Sequence, residues 1–252
     1  MRILAITVAF LMLLVALVAL APAALLDARL DSATQRQLRL MDTEGTVWNG
    51  RGVVTGEART WSLPLRWTVD PWSLLRGDVV ITLIAANGGD LPRGTIRWRK
   101  GGWEFDGIAL TLPAAALQGL VVRGLALAPG GNVTVDAAHF RWDTNGQGGG
   151  GDGAASAVWN GARVAGAAGN IALGTVNVHL TSADGGILGR VDNRGGDVRV
   201  DGEFTLGNAG SSVSATVLPL PSTPPAIQRA LGALGAPDAA GAVRVQWRSG
   251  GR

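Results

Sequence analysis

The sequence predicts a mainly β protein: an N-terminal transmembrane helix, then an elongated antiparallel β-sheet domain built of two similar halves. Three observations predict it. The chain begins with a long apolar stretch that carries no charge from Ile3 to Leu26. Beyond it, apolar residues recur at every second position in short runs parted by Gly, Asn and Asp, the signature of half-buried antiparallel strands. A four-residue motif, Val-Trp-Asn-Gly, occurs twice, at 47–50 and again at 158–161.

The anchor comes first in the chain. Between Ile3 and Ala21 the single polar interruption is Thr7. Those residues span roughly 28 Å as a helix, close to the roughly 30 Å of a hydrocarbon core. The rival reading is a cleaved signal peptide, supported by the small residues Ala19-Leu20-Ala21. The stretch is longer than a usual signal core, and Pro22 follows Ala21, where a peptidase needs extended, hydrogen-bonded substrate. The expectation is an uncleaved anchor over 1–26, crossing the membrane through residues 3–21. Arg29, Arg36 and Arg39 follow it while only Arg2 precedes it, so the positive-inside count does not favour a cytoplasmic N-terminus. The two-residue tail and the ability of long domains to translocate regardless of charge do. The expected orientation is therefore single-pass, with a cytoplasmic N-terminus and the bulk of the chain on the far side of the membrane.

The body, 27–252, follows. A short helix is expected around Leu30–Met41. Leu63, Leu65, Trp67 and Val69 then alternate with polar neighbours, and so do Ile96, Trp98, Trp103 and Phe105. Further runs lie at 79–85, 108–112, 121–127, 133–140, 171–180, 187–191, 198–206, 213–218 and 243–247. Turns are expected where residues tolerate positive φ: Asn87–Asp90, Pro129–Asn132, Asp184–Gly186 and Asn193–Gly196. A Gly-rich stretch, 145–153, cannot pack a core and reads as a mobile loop between a first half, 27–144, and a second, 154–252. The recurrence of Val-Trp-Asn-Gly at the head of each half suggests two structural repeats. Pro219, Pro221, Pro224 and Pro225 stiffen an extended segment, after which Ala226–Leu234 can form a helix stopped by Gly235.

Composition narrows the chemistry. The isoelectric point of 10.8 suggests a nucleic-acid binder, but the formal net charge is only +3. With no Cys, no Tyr and a single Lys, Lys100, almost nothing titrates below arginine, so a small excess stays positive to high pH. Charges of both signs are interspersed and no basic stripe is present, which argues against nucleic acid. No nucleophile elbow, paired-histidine zinc motif or phosphate loop occurs. His139 and His179 stand alone on strands, and the carboxylate pairs Asp42/Glu44 and Glu104/Asp106 read as solvated surface. No enzyme activity, metal or cofactor is expected.

Nine tryptophans remain. Trp48, Trp67, Trp98, Trp103, Trp142, Trp159 and Trp247 fall on the apolar phase of strands and read as core, each indole N–H needing an acceptor. Asn49 and Asn160 read as turn residues. Trp61 and Trp72, near Arg59 and Arg76, are the better interface candidates.

Taken together, the anchor, Glu44-Gly45-Thr46-Val47-Trp48-Asn49-Gly50, and Leu65-Arg66-Trp67-Thr68-Val69-Asp70-Pro71-Trp72-Ser73-Leu74-Leu75-Arg76-Gly77 resemble type II secretion system protein N (GspN). Residues 44–77 carry the resemblance, a G-T-V-W-N-G element followed by W-x-x-x-P-x-x-L-L-x-G. It implies an inner-membrane protein with a periplasmic β-domain, accessory to the general secretion pathway, without enzymatic activity or cofactor. Its partners would be other type II secretion subunits. Trp48, Asn49, Gly50, Trp61, Trp67, Pro71 and Trp72 are the expected contact or structural residues, with sheet edges as a second means of contact. The alternatives are an anchored β-groove protein holding lipid or another hydrophobic ligand and, far behind, a hydrolase.

Overall fold

The computed structural model describes residues 18–34, 38–56, 61–85, 92–117, 128–143, 151–166, 169–183, 186–207 and 210–250. The expected membrane span therefore lies outside the described residues as far as residue 17, as do the expected strand at 121–127 and turn at Asn87–Asp90. Among the described residues, no helix is long and apolar enough to cross a membrane. The chain forms two compact units, residues 1–92 and 93–252. All pairings between strands within each unit are antiparallel and join neighbours in the chain.

Unit 1 holds helix α1 (Ala24–Ala33), strands β1 (Leu38–Gly45), β2 (Asn49–Gly56) and β3 (Ser62–Val69), the short helix α2 (Pro71–Leu75), and β4 (Asp78–Ala85). The helix expected at Leu30–Met41 is thus shifted: it ends at Ala33, and Leu38–Met41 belong to β1. The reason is local side-chain bonding. Thr34 Oγ1 donates to the Leu30 carbonyl at 2.7 Å and accepts from Leu38 N–H at 3.1 Å, while Asp27 Oδ1 accepts from Leu40 N–H at 2.9 Å. These bonds satisfy the helix end and begin the strand, the usual way a short hydroxyl or carboxylate side chain competes with a continuing helix. The alternation read at Leu63–Val69 is realised in β3, whose inward residues Trp67 and Val69 form the core with Leu40 and Ala23. Leu26 and Leu30 of α1 pack on that same cluster, closing one face of the sheet.

Unit 2 is a nine-stranded meander: β5 (Arg93–Arg99), β6 (Gly102–Pro113), β7 (Ala128–Asp143), β8 (Gly151–Gly166), β9 (Gly169–Ala183), β10 (Gly186–Arg194), β11 (Val198–Gly207), β12 (Gly210–Pro219) and β13 (Val243–Gly250). Helix α3 (Pro225–Leu234) precedes the last strand, with Pro225 in its first turn as the sequence suggests. Its Ile227 and Leu231 pack on Val198 and Val243. The turn expected at Pro129–Asn132 is instead the start of β7, a correction with a clear cause. Gly131, at φ +98°, forms a bulge so tight against β8 that a Cβ there would stand 2.4 Å from the Asn160 carbonyl oxygen. The glycines answer a close backbone approach rather than a chain reversal. Similarly, Gly151, Asp152 and Gly153 of the Gly-rich stretch are the first residues of β8. Asn193–Gly196 does turn the chain, and the buried Asn193 pins it. Its amide donates to the carbonyls of Leu173 and Val198, and its oxygen accepts from Val200 N–H at 2.6 Å.

Registration aligns the apolar residues of unit 2 on one face. Ile96 faces Phe105, Phe105 faces Phe140, and Ile108 faces Ala137 across β5, β6 and β7. Leu180, Ile187 and Leu206 carry the same cluster through β9, β10 and β11. Trp98 and Trp103 lie at its margin, half exposed and 6.4 Å apart between ring centres, so they are not the core residues their strand phase suggested.

Candidate partner-binding site

The residues singled out in the sequence divide between two ends of unit 1. Gly45–Asn49 turns β1 into β2, with Thr46 N–H donating to the Asn49 carbonyl at 2.9 Å and Asn49 N–H to Thr46 Oγ1 at 3.1 Å. Asn49 therefore closes the turn as the first residue of β2, whereas Asn160, expected to be a turn residue too, lies within β8 and pairs with Asn132. Gly50 pairs with Trp67 across β2 and β3. A Cβ on Gly50 would stand 2.5 Å from the Trp67 ring and 2.9 Å from the carbonyl oxygens of Glu44 and Thr46. Only glycine leaves room for the indole against the strand. Trp67, 4% exposed, sends its Nε1–H to the Val47 carbonyl at 3.1 Å. The motif pair 47–50 and 67 is thus one packed unit in which the turn supplies the acceptor for the buried indole.

Trp48 does something different. Its Nε1–H donates to the Val18 carbonyl at 2.8 Å, while Val47 N–H donates to the Ala21 carbonyl at 2.9 Å and Ala23 N–H to the Gly45 carbonyl at 3.1 Å. The turn therefore grips the chain segment that leads in from the apolar N-terminus. The second Val-Trp-Asn-Gly sits in the middle of β8 rather than at a hairpin, so the two copies occupy different structural settings. One property they share: Trp159 Nε1–H also donates to a backbone carbonyl, that of Gly130, at 2.8 Å.

Pro71 and Trp72 lie at the same end. Val69 N–H donates to the Trp48 carbonyl at 2.7 Å, so β3 leaves the sheet directly beside the β1–β2 turn. Asp70 caps α2, its Oδ1 accepting from Trp72 N–H at 3.0 Å, and Pro71 takes the first helical position, where its missing N–H costs nothing. Ser73 is fully buried. Its hydroxyl donates to the Asp70 carbonyl at 2.6 Å and accepts from Val80 N–H at 3.3 Å. Fastened from beneath, α2 turns its large apolar side chains outward: Trp72 is 69% exposed, Leu75 80%, and Leu74 also exposed. Gly77, at φ +80°, returns the chain to β4.

Trp61 does not join them. It precedes β3, about 25 Å along the strand from Trp72 at ordinary strand rise, and packs its indole over Gly56. The expected Trp61–Trp72 region is therefore two places, and only Trp72 stands clear of the fold. Leu74 and Leu75 are the apolar partners of Trp72. Their exposure was not legible because a five-residue helix is too short to show a face by periodicity.

Two further features arise from strand pairing. On the polar face of unit 2, Asp106 stands opposite His139, with Oδ1 2.6 Å from Nδ1. The hydrogen bond to Asp106 raises the His139 pKa above the ordinary imidazole value. The negative charges of Asp106, Glu104 and Asp152 add to the rise, and partial desolvation opposes it. Glu104, Asp106 and His139 each present a ligand atom within 4.8 Å of one another. Glu104 already lies 3.5 Å from the Arg97 guanidinium and 3.8 Å from that of Arg99, so the group is charge-compensated by protein cations. The sequence shows these residues 33 positions apart, and only the register joins them. The other feature is β13, which pairs with β12 on one side and has no strand on its other side among the described residues. Trp247 on it is 57% exposed.

The family model described as Type II secretion system (T2SS), protein N matches residues 36–246, most of the chain and all of both motifs. No curated protein and no solved structure gives a significant match.

Proposed function

Since the chain belongs to the type II secretion system protein N family, we propose that it serves type II secretion as an inner-membrane-anchored periplasmic component that catalyses no reaction. It contributes to the export of folded proteins by contacting other subunits of the apparatus. The family match over residues 36–246 carries this reading. The outer edge of β13 supports it physically. An unpaired strand edge offers a row of backbone donors and acceptors to an incoming strand, and alternate side chains select which strand pairs. Arg244 and Arg248 stand exposed on that edge, spaced to discourage indiscriminate pairing while leaving Trp247 as an anchor.

The test is deletion of the gene with an assay for secreted folded substrates, joined to photo-crosslinking from position 247 of the full chain. Loss of export and crosslinks to secretion subunits are expected. Normal export together with no such crosslinks would sink the reading.

A second reading, an anchored protein that holds a lipid or another hydrophobic ligand, would need room on the apolar face shared by β5 to β11, whose central Ile108, Ala137, Phe140 and Ile187 are already buried. No helix among the described residues packs on that cluster, in contrast to Val198 and Val243, which lie under α3. Acyl chains in the native mass spectrum of the purified protein would support it, and a spectrum free of them would remove it.

A further inference from the structure

We propose that the end of unit 1 formed by the β1–β2 turn and helix α2 is a lipid-docking surface, and that Trp72, Leu74 and Leu75 insert into the interfacial layer of a bilayer. The inference rests on the reading of residues 3–21 as a membrane anchor, and it adds to that reading where the folded domain sits.

Two observations meet at this end. One is the exposed apolar knob. Three large apolar side chains project from a helix of five residues, and the helix is rigidly built. Asp70 caps it, the Ser73 hydroxyl ties it to β4, and the N–H groups of Arg76 and Gly77 close it onto the carbonyls of Ser73 and Leu74 at 2.9 and 3.0 Å. Tryptophan and leucine held outward on a fixed scaffold contribute nothing to the core, whose place at this end is already taken by Trp67 and Val69.

The other observation is where the N-terminal segment enters. The carbonyls of Val18 and Ala21 are held by Trp48 Nε1–H and Val47 N–H. Pro22 bridges to Thr46. The last residues of the apolar segment are thus bonded to the fold itself, with no linker between. A span that ends at residue 21 brings the β1–β2 turn to the headgroups, and α2 leaves the neighbouring strand, about 5 Å away in the sheet. The exposed Leu20 lies on the same approach. Connectivity therefore supplies the occupant: the surface nearest this knob is the bilayer that holds the anchor. The residue types fit that layer, since tryptophan concentrates at the headgroup level with its ring amphipathic to the boundary, and leucine enters the acyl region below. The exposed Arg76 beside them can reach lipid phosphates.

The absence of cysteine makes the test direct. Full-length protein carrying Leu75→Cys, labelled with an environment-sensitive fluorophore, is reconstituted into phosphatidylethanolamine–phosphatidylglycerol vesicles. Brominated acyl chains and aqueous iodide are the two quenchers. Met12→Cys reports the anchor, and Ser62→Cys, at the far end of β3, reports a site away from the surface. The expected result is a label at 75 quenched by brominated lipid about threefold or more above the label at 62, with the difference reduced by Trp72→Ser. A label at 12 that is not quenched by lipid defeats the anchor reading and with it this proposal. A label at 12 buried in lipid beside one at 75 open to iodide overturns the docking proposal alone. Shielding at 75 that develops only at high protein-to-lipid ratio, or only when other membrane proteins are added, assigns the knob to a protein contact and overturns it equally. Leu75 and Trp72 are exposed, so neither substitution removes a core contact.

Discussion

Trp67 and Gly50 show how one residue dictates another across a strand pair. The indole can lie over β2 only because position 50 has no side chain. Gly50→Val therefore forces ring and strand apart and is expected to cost about 1–3 kcal/mol, the range for overpacking a fitted site. Trp67→Ala leaves a cavity under α1 and costs about 3–5 kcal/mol. Urea denaturation of each variant measures both, and stability within error of the parent for either would show that the packing is looser than the contact implies. His139 offers a pH-dependent counterpart. Its folded pKa lies above the unfolded value, so protonated His139 adds stability that is fully present below about pH 6.5. That contribution disappears as pH rises through the raised folded pKa. The group is solvent-exposed, so the effect is read by titration rather than by melting. In an NMR titration, Asp106→Asn is expected to lower the His139 midpoint, because the carboxylate hydrogen bond is its largest cause. An unmoved midpoint would assign the shift elsewhere.

At the level of elements, the motif Asp70-Pro71-Trp72-Ser73 builds a cap, a first turn and a buried tether in four consecutive residues. Asp70→Ala removes the acceptor of Trp72 N–H and is expected to lower stability by about 1 kcal/mol, with Asp70→Ser recovering most of it. The Asp70–Arg76 ion pair, 3.4 Å apart at the surface, contributes little to that figure. Equal losses for Ala and Ser would place the role of Asp70 in its charge rather than its cap. Elements of this kind were partly legible. The alternation at Leu63–Val69 and the proline-bounded helix at 226–234 were readable because a side chain's face follows from its position along a single element. The bulge at Gly131 and the strand residues Gly151–Gly153 were not. A glycine pair gives the same local signal whether the chain reverses or a neighbouring backbone presses close, and only the partner strand decides between them. The Asp106–His139 pair and the outward face of α2 were hidden likewise, the first by sequence distance and the second by shortness.

Within the larger unit, stability should be graded by position in the sheet. Strands β7, β8 and β9 are 16, 16 and 15 residues long and are paired on both sides, while β13 has eight residues and one partner. Native-state hydrogen exchange is expected to be slowest in β7–β9 and fastest at the outer amides of β13, since opening free energies fall toward an unpaired edge. Uniform protection across all nine strands would instead mark a single cooperative block. The sheet's chain-ordered pairing also bears on synthesis. In each unit every strand after the first finds a partner in the strand made just before it, so a chain emerging N-terminus first can add strands one at a time. Each strand waits only for the next one to be made, and at each moment a single edge is growing. In the finished unit 2, that last edge is β13.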